Sequence, residues 1–314
     1  MDVIRGADVM PPTGGDTVLS IGNFDGVHLA HRHICQQIKE AAHERGARCA
    51  ILTFEPHPLS VVSPDRCPPL MTTLDEKLSR LEAQGVDMVF VEPFTPELAA
   101  MEAEEFIRKI LHEKIQAGLI FVGFNFHFGK GAVGNVELLR HEGEGLGFET
   151  REIEPFMSSG QRVSSSVVRK LLLAGQVGEA AEFLGGFHAI EGPVIEGDGR
   201  GRQIGVPTAN VAYPPILVPA KGVYACWVRI GGREAERLPA AVNIGDRPTF
   251  GGKKVSIEAH LLEGGRDLYG EQIRVEFVSR LRDEMKFSGP EALVAQIRAD
   301  IAAGREFLKN APCL

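Results

Sequence analysis

Two histidines three residues apart, His28 and His31, stand in the stretch GNFDGVHLAH, residues 22–31. The stretch follows the strand-like run TVLSI and opens a helical pattern. Free N–H groups at a helix start, together with the helix dipole, favour an anion there. Imidazoles at i and i+3 share one helix face and project beside it. The pattern therefore predicts a phosphate site. The plainer alternative is that one or both rings cap or pack the first turn. Zinc would need a third protein ligand and a supporting shell. Cys35, one turn along the same helix, does not complete a tetrahedron, so zinc is disfavoured.

Two further groups carry chemistry. In RVSSSVVRKLLLAG, Ser164, Ser165 and Ser166 precede an apolar helical run, with Arg169 one turn in. Serine in that place ordinarily caps a helix; the same amides and hydroxyls with a guanidinium beside them also suit a phosphate. In GDGRGRQIGVPTAN, Gly197, Gly199 and Gly201 allow backbone N–H groups close to a phosphate, and Arg200 or Arg202 supplies charge. The GK[ST] ending of a Walker A loop is missing. Thr208 and Asn210 bring oxygen donors suited to Mg²⁺ or phosphate. The alternative there is a turn-rich barrel rim. His57, between Pro56 and Pro58, has a restricted backbone that aims it.

The elements that must position these residues fall into two textures. The first half alternates strand-like and helix-like segments. TVLSI leads to the helix HRHICQQIKEAAHERG, ARCAILTF to TTLDEKLSRLEAQG, and VDMVFV to TPELAAMEAEEFIRKILHEKI, read as one helix. GLIFVG, the helix NVELLRHEGEGLG, the strand FETREIEPF and the serine-led helix follow. Thr73 and Glu76 have capping-box spacing, and Gly46 and Gly85 end their helices. Repeated β-α units predict a parallel, Rossmann-like sheet with helices on both faces. After about Leu184 the runs become short and strand-like, GVYACWVRI, LPAAVNI, KVSIEAHLLE and EQIRVEFV, separated by Gly, Pro and Asp turns. They predict a small antiparallel β-barrel, closed by a last helix, GPEALVAQIRADIAAGREFLKN. Two domains follow, 1–184 and 185–314.

Bulk properties narrow the function. At 314 residues, 44% hydrophobic and 24% charged, the chain has the composition of a globular protein with well-buried cores. A net charge of −8 argues against a broad nucleic-acid surface but allows a small basic pocket. No apolar run approaches a membrane span, and the start lacks a signal-peptide pattern. Five scattered cysteines without a CxxC fit a reducing cytoplasm.

GNFDGVHLAH resembles the HxGH signature of the nucleotidyltransferase superfamily in its flavin-related form, GNFDGVHxGH. TFEPHP, VGFNFHFGKGAVGN and RVSSSVVRKLLLAGQV resemble further motifs of the same family in order. GVPTAN is similar to the GxPTAN motif of riboflavin kinases, and AVNIGDRPTF, IEAHLLE, DLYGEQIRVEF and LRDEMKF match that family over residues 187–300. The whole resembles the bifunctional prokaryotic riboflavin kinase/FAD synthetases. The resemblance implies phosphorylation of riboflavin by ATP to FMN in the second domain, then adenylylation of FMN to FAD with release of pyrophosphate in the first. It implies that His28 and His31 act on the ATP triphosphate, with Gly22, Asn23, Asp25, Ser164, Ser165, Ser166 and Arg169 also at the nucleotide. Phe54, His57, Asn125 and Phe128 would meet the flavin, with Phe124 and Phe126 as further aromatic candidates. In the second domain it implies Glu258 as the base that takes the riboflavin 5′-hydroxyl proton. Thr208 and Asn210 would hold Mg·ATP with the Gly197–Arg202 loop, and Asn243, Arg247 and Phe287 would contact ligand or close a loop. Glu258 alternates with Ile257 and Ala259, so it faces away from its apolar neighbours; a plain solvated strand residue has the same pattern.

Three positions depart from the family pattern. Ala30 replaces the glycine of HxGH, Asn125 stands where many relatives carry aspartate, and His127 where many carry arginine. Rival readings are a flavin-binding protein without activity, a kinase whose first half only binds nucleotide or flavin, and a nucleotidyltransferase for another phosphorylated molecule. The partners expected are the flavins, ATP and pyrophosphate, with neither nucleic acid nor membrane; weak self-association is compatible with the sequence.

Overall fold

Six parallel strands form the first sheet: β1 (Asp2–Arg5), β2 (Thr17–Ile21), β3 (Arg48–Glu55), β4 (Met88–Pro93), β5 (Ala117–Gly123) and β6 (Glu149–Ile153). Their spatial order is β1-β4-β3-β2-β5-β6. The structure is a computed structural model describing residues 1–6, 16–197, 205–249, 252–263 and 266–311. Apolar residues point both ways along the inner strands. Val18, Ile51, Val89 and Leu119 belong to one core, and Leu19, Leu52, Phe90 and Ile120 to the other. Helices cover both faces, as continuous apolar strands require. The first face carries α1 (Leu29–Arg45), then past the short α2 (Pro58–Val62), α3 (Leu74–Glu82). Gly46 ends α1 in a left-handed conformation, and the Thr73 hydroxyl accepts the Glu76 N–H at 3.2 Å to start α3.

The segment read as one helix over 95–115 is broken in the structure. α4 (Pro96–Ala99) stops, Glu102 is extended, and α5 (Ala103–Phe106) restarts and continues π-helically over Ile107–Lys114. A loop from a later strand fills the break. The Lys130 N–H donates to the Met101 carbonyl at 2.8 Å, and Gly129 (φ 73°) packs against Ala103. Tertiary contact thus overrides a continuous helical pattern. α6 (Val136–Leu146) follows, capped by Asn135 through a 2.9 Å bond from the Leu138 N–H. The sequence reading did not include the edge strand β1 or the hairpin of β7 (Met157–Ser158) and β8 (Gln161–Arg162).

The order of strands creates a switch point. The chain moves from β2 outward through β3 and β4, then returns to the other side of β2 as β5. In open α/β sheets ligands bind outside the carboxyl ends of the strands at such a point. GNFDGVH leaves β2 there, and GFNFHFG leaves β5 there.

After two helices, α7 (Ser165–Leu173) and α8 (Val177–Leu184), six antiparallel strands close a barrel. They are β9 (His188–Ile195), β10 (Ala209–Val211), β11 (Gly222–Ile230), β12 (Leu238–Thr249), β13 (Gly252–Leu261) and β14 (Gln272–Arg282), and the last helix is α9 (Pro290–Lys309). The first two barrel strands lie in the Gly- and Pro-rich stretch that was read only as a change of texture. By packing, the chain divides into two compact units, Met1–Ser164 and Ser165–Leu314. Ala181 of α8 shares a core with Ala225, Ala241 and Val278 of the barrel and Leu308 of α9, which places the helix pair with the barrel. The change of sequence texture had put the boundary at Leu184.

Gly129→Ala would force a side chain into the left-handed region and put its Cβ 2.7 Å from the Ala103 Cα. We expect a loss of about 2–4 kcal/mol from the first unit, combining a left-handed alanine with overpacking, read as a lower urea midpoint.

Candidate active sites

The turn that joins β2 to α1 is strained and buried. Phe24 (φ 48°), Gly26 (φ 82°) and Val27 (φ 43°) all have left-handed backbones, and Phe24 and Val27 are 1% and 0% exposed. The segment before α3 and α3 itself hold it. The Asp25 carboxylate accepts the Met71 N–H at 2.9 Å and the Thr72 N–H and hydroxyl, each at 3.2 Å. The Thr72 hydroxyl also accepts from the Gly26 N–H, and Arg80 donates to the Gly26 carbonyl at 3.0 Å. Arg32 of α1 donates to the Val27 carbonyl at 3.3 Å. Asp25, expected at the nucleotide, is thus buried and directed at the Met71–Thr72 backbone. Sequence reasoning missed Thr72, Lys77 and Arg80; the TTLDEKLSR run offered only its capping signal.

The turn delivers His28 to the N-terminal boundary of α1, where its extended backbone accepts the Arg32 N–H. Its ring stacks on His31 with centroids 3.7 Å apart and planes 14° apart, and His31 in turn lies 4.8 Å from Phe24. The first turn of α1 carries no acidic side chain, so its N–H groups and dipole are available to an anion. Asn23 is exposed beside them, and its amide is 3.2 Å from His57 Nε2. His57 Nδ1 accepts the Leu59 N–H at the start of α2. The Asn23 amide and the His57 ring thus join the turn to the start of α2.

At the end of β5, Asn125 is exposed in a turn closed by the Phe126 N–H on the Gly123 carbonyl. Phe124 is exposed with the Arg162 guanidinium 4.7 Å above its ring. Phe128 is buried instead, between Phe106 at 5.6 Å and Phe126 at 5.4 Å. Phe54 is half-buried, edge-on to Phe94. Phe124 is therefore the accessible aromatic of this loop, and Phe128 supports it from the core. Ser164 ends the first unit and Ser165 begins the second; Ser166 is exposed at the start of α7 and Arg169 is half-buried.

The barrel assembles a second site from three strands. Asn210 of β10 pairs with Glu258 of β13, and Glu258 pairs with Asn243 of β12. Residues directly opposite in an antiparallel ladder share a face, so the three stand in one row. Their strand neighbours Ala209, Val211, Ile257, Ala259, Val242 and Ile244 are buried on the other face. The row lies on the outer face, where Ala241 further along β12 meets Leu308 of α9. Ser256 donates to the Glu258 carboxylate at 3.4 Å. Gly197 lies so close to Asn210 that a Cβ there would stand 2.1 Å from the amide nitrogen. Thr208, Asn210 and Glu258 offer hydroxyl, amide and carboxylate oxygens, the hard donors that Mg²⁺ takes, so the donor set fits that ion. Gly199, Gly201 and Arg202 lie outside the described residues. Arg247 pairs in register with Lys254, and Phe287 lies 5.8 Å from the Arg282 guanidinium, which is bound to Asp300 of α9.

Comparison with known proteins gives these sites a family. Residues 11–167 match the FAD synthetase family and residues 184–308 the riboflavin kinase family. Bifunctional riboflavin kinase/FMN adenylyltransferases from Escherichia coli K12 and Pseudomonas fluorescens are 40% and 37% identical, over 92% and 97% of this chain and equal shares of their own. A crystal structure described as a macrolide-efflux protein from Streptococcus pneumoniae superposes with a TM-score of 0.87 at 28% identity, covering 97% of this chain and 99% of its own. The chain belongs to the bifunctional riboflavin kinase/FMN adenylyltransferase family. Its riboflavin kinase and FAD synthetase activities are those that the sequence motifs implied. No helix among the described residues is long and apolar enough to cross a membrane.

Gly197→Ala should push Asn210 out of the row, because the new methyl and the amide nitrogen cannot occupy 2.1 Å. We expect riboflavin phosphorylation to fall at least about tenfold, the scale of a misplaced polar contact. FAD formation from supplied FMN should stay within about twofold, with both rates read by chromatography of the flavins.

Proposed function

We propose that the two reactions are divided between the two units, each with its own nucleotide site. The observation that carries this division is the placement of the chemistry. The paired imidazoles stand at the switch point of the first sheet, and the Asn210–Glu258–Asn243 row lies across three strands of the barrel. By motif, adenylyl transfer is assigned to residues 1–184 and the kinase to 185–314, although α7 and α8 pack with the barrel.

In the kinase half, riboflavin and Mg·ATP meet at the outer row. Glu258 takes the proton of the riboflavin 5′-hydroxyl as its oxygen attacks the γ-phosphorus and ADP leaves. Thr208 and Asn210 would hold Mg²⁺, which would offset negative charge on the phosphates. On their motifs, Gly197, Gly199, Gly201 and Arg202 are assigned to the nucleotide phosphates, and Asn243 and Arg247 to the flavin. Phosphoryl transfer leaves little covalent chemistry for the protein, so the fixed register of three strands supplies what it needs: position.

In the adenylyltransferase half, an oxygen of the FMN phosphate attacks the α-phosphorus of ATP and pyrophosphate leaves. No covalent enzyme intermediate is required. His28, His31 and the N-terminal end of the α1 dipole stabilise charge on the phosphoryl oxygens. Gly22 and Asn23 line the nucleotide, and Asp25 acts by holding their turn. Asn125, Phe54 and His57 are assigned to the flavin on their motifs, with the exposed Phe124 in place of the buried Phe128. Ser164 of the same unit is assigned to the outer phosphates on its motif. Ala30 lies inside the first turn of α1, where alanine is the best helix former, so the exchange for glycine is compatible with an active first half. Buried and half-buried free cysteines and the absence of a spanning helix among the described residues support a cytoplasmic location.

Reciprocal variants test the division. Glu258→Ala should lower FMN formation from riboflavin by at least about a hundredfold, the usual scale for general base loss, and leave FMN-to-FAD conversion near wild type. His28→Ala should do the reverse. Equal loss of both steps in either variant contradicts the assignment.

A further inference from the structure

A buried lysine lies beneath the strained turn and has no part in the scheme above. Lys77 of α3 is 7% exposed. Its ammonium donates to the Thr53 hydroxyl at 3.3 Å, and that hydroxyl donates to the Asn23 carbonyl at 3.2 Å. Thr53, on β3, is fully buried. Burial lowers the affinity of Lys77 for its proton, while the carboxylates of Asp25 and then Glu55 oppose that loss. An ion so far from water is costly unless it is paired and hydrogen-bonded. An apolar side chain would fill the same space beneath α3 at lower cost. What the ammonium adds is a directed link, from α3 through β3 to the peptide that precedes Phe24.

The link reaches the part of the turn that the Asp25 clamp does not. Asp25, Thr72 and Arg80 hold residues 25 and 26. Lys77 and Thr53 hold residue 23, whose own side chain meets His57. We propose that Lys77 is a positioning residue for adenylyl transfer, fixing through Thr53 the peptide at Asn23 and so the angle at which His28 and His31 enter α1. The proposal rests on the assignment of that histidine pair to the ATP phosphates. Misplacement of a charge-stabilising group by about 1 Å can cost a hundredfold in rate.

The test uses the full chain and three variants, Lys77→Met, Thr53→Val and the double variant. The rate of FAD formation from FMN and Mg·ATP is measured at varied ATP, with riboflavin phosphorylation by the same preparation as control. Each single variant should lower kcat for FAD formation at least about tenfold with KM for ATP within about twofold, because the loss falls on the transition state. The double variant should be no worse than Lys77→Met alone, as expected of residues acting in one chain. The kinase rate should hold. Unchanged kcat, a loss carried wholly by KM, or losses that multiply in the double variant would each overturn the proposal. If Lys77→Met does not fold, Thr53→Val alone decides: an unchanged kcat refutes the link. His28→Ala in the same assay separates the two levels. If it leaves FAD formation intact, the histidine assignment itself fails; if it abolishes FAD formation while Thr53→Val does not lower it, only the role of Lys77 fails.

Discussion

The buried carboxylate of Asp25 is the constraint on which the first site depends. Two non-glycine residues of its turn, Phe24 and Val27, have left-handed backbones, at about 1–2 kcal/mol each. Against this stand three hydrogen bonds from Met71 and Thr72 to an ionised acceptor, at about 1.5–3 kcal/mol each. Burial of Phe24 and Val27 adds to the same side. The balance favours the strained turn, and the strain has a use. Without it the chain leaving β2 would not deliver His28 to the boundary of α1 with its ring stacked on His31. The clamp comes from residues some 46 positions away in sequence, so the histidine geometry is a property of the folded sheet.

The barrel solves a similar problem by another route. Asn210, Glu258 and Asn243 are held by the ladder register. Side chains opposite one another across closely spaced strands keep their relation as long as the strands pair, and a closed barrel has no free edge along which to slip. Alternation places apolar neighbours inside and the polar row outside. α9 covers only part of that outer face, through Leu308 on Ala225 and Ala241. One chain thus carries two ways of fixing polar groups for phosphate chemistry, a clamped turn and a paired row.

Much of this was legible in the sequence, and the gaps have physical reasons. The strands around the switch point read clearly because each is apolar on both faces, as a doubly covered parallel strand must be. Thr73 and Gly46 announced their helix ends through cap chemistry. Glu258 could be placed on a polar strand face by alternation, but its pairing with Asn210 and Asn243 could not, since register between distant strands leaves no local mark. The helix pattern over 95–115 was continuous, yet the Gly129–Lys130 loop cuts it at Met101. Asp25 read as a phosphate-site residue because it sits in the motif; only the structure shows its carboxylate turned to Met71 and Thr72. Lys77 left no trace beyond its place in a capped amphipathic helix, because a buried charge is defined by what surrounds it. Phe124 and Phe128 are alike in sequence, and burial alone separates them.

The two activities call for attack on two different phosphorus atoms of ATP, the γ by riboflavin and the α by FMN. The most direct measurement supplies riboflavin with Mg·ATP labelled at either the α- or the γ-phosphorus and follows the label into the flavins. The account predicts γ-label in FMN and in the FAD made from it, and α-label in FAD alone, with unlabelled FMN as its precursor. Failure of α-label to enter any flavin would contradict it, leaving the first unit without its adenylyl transfer.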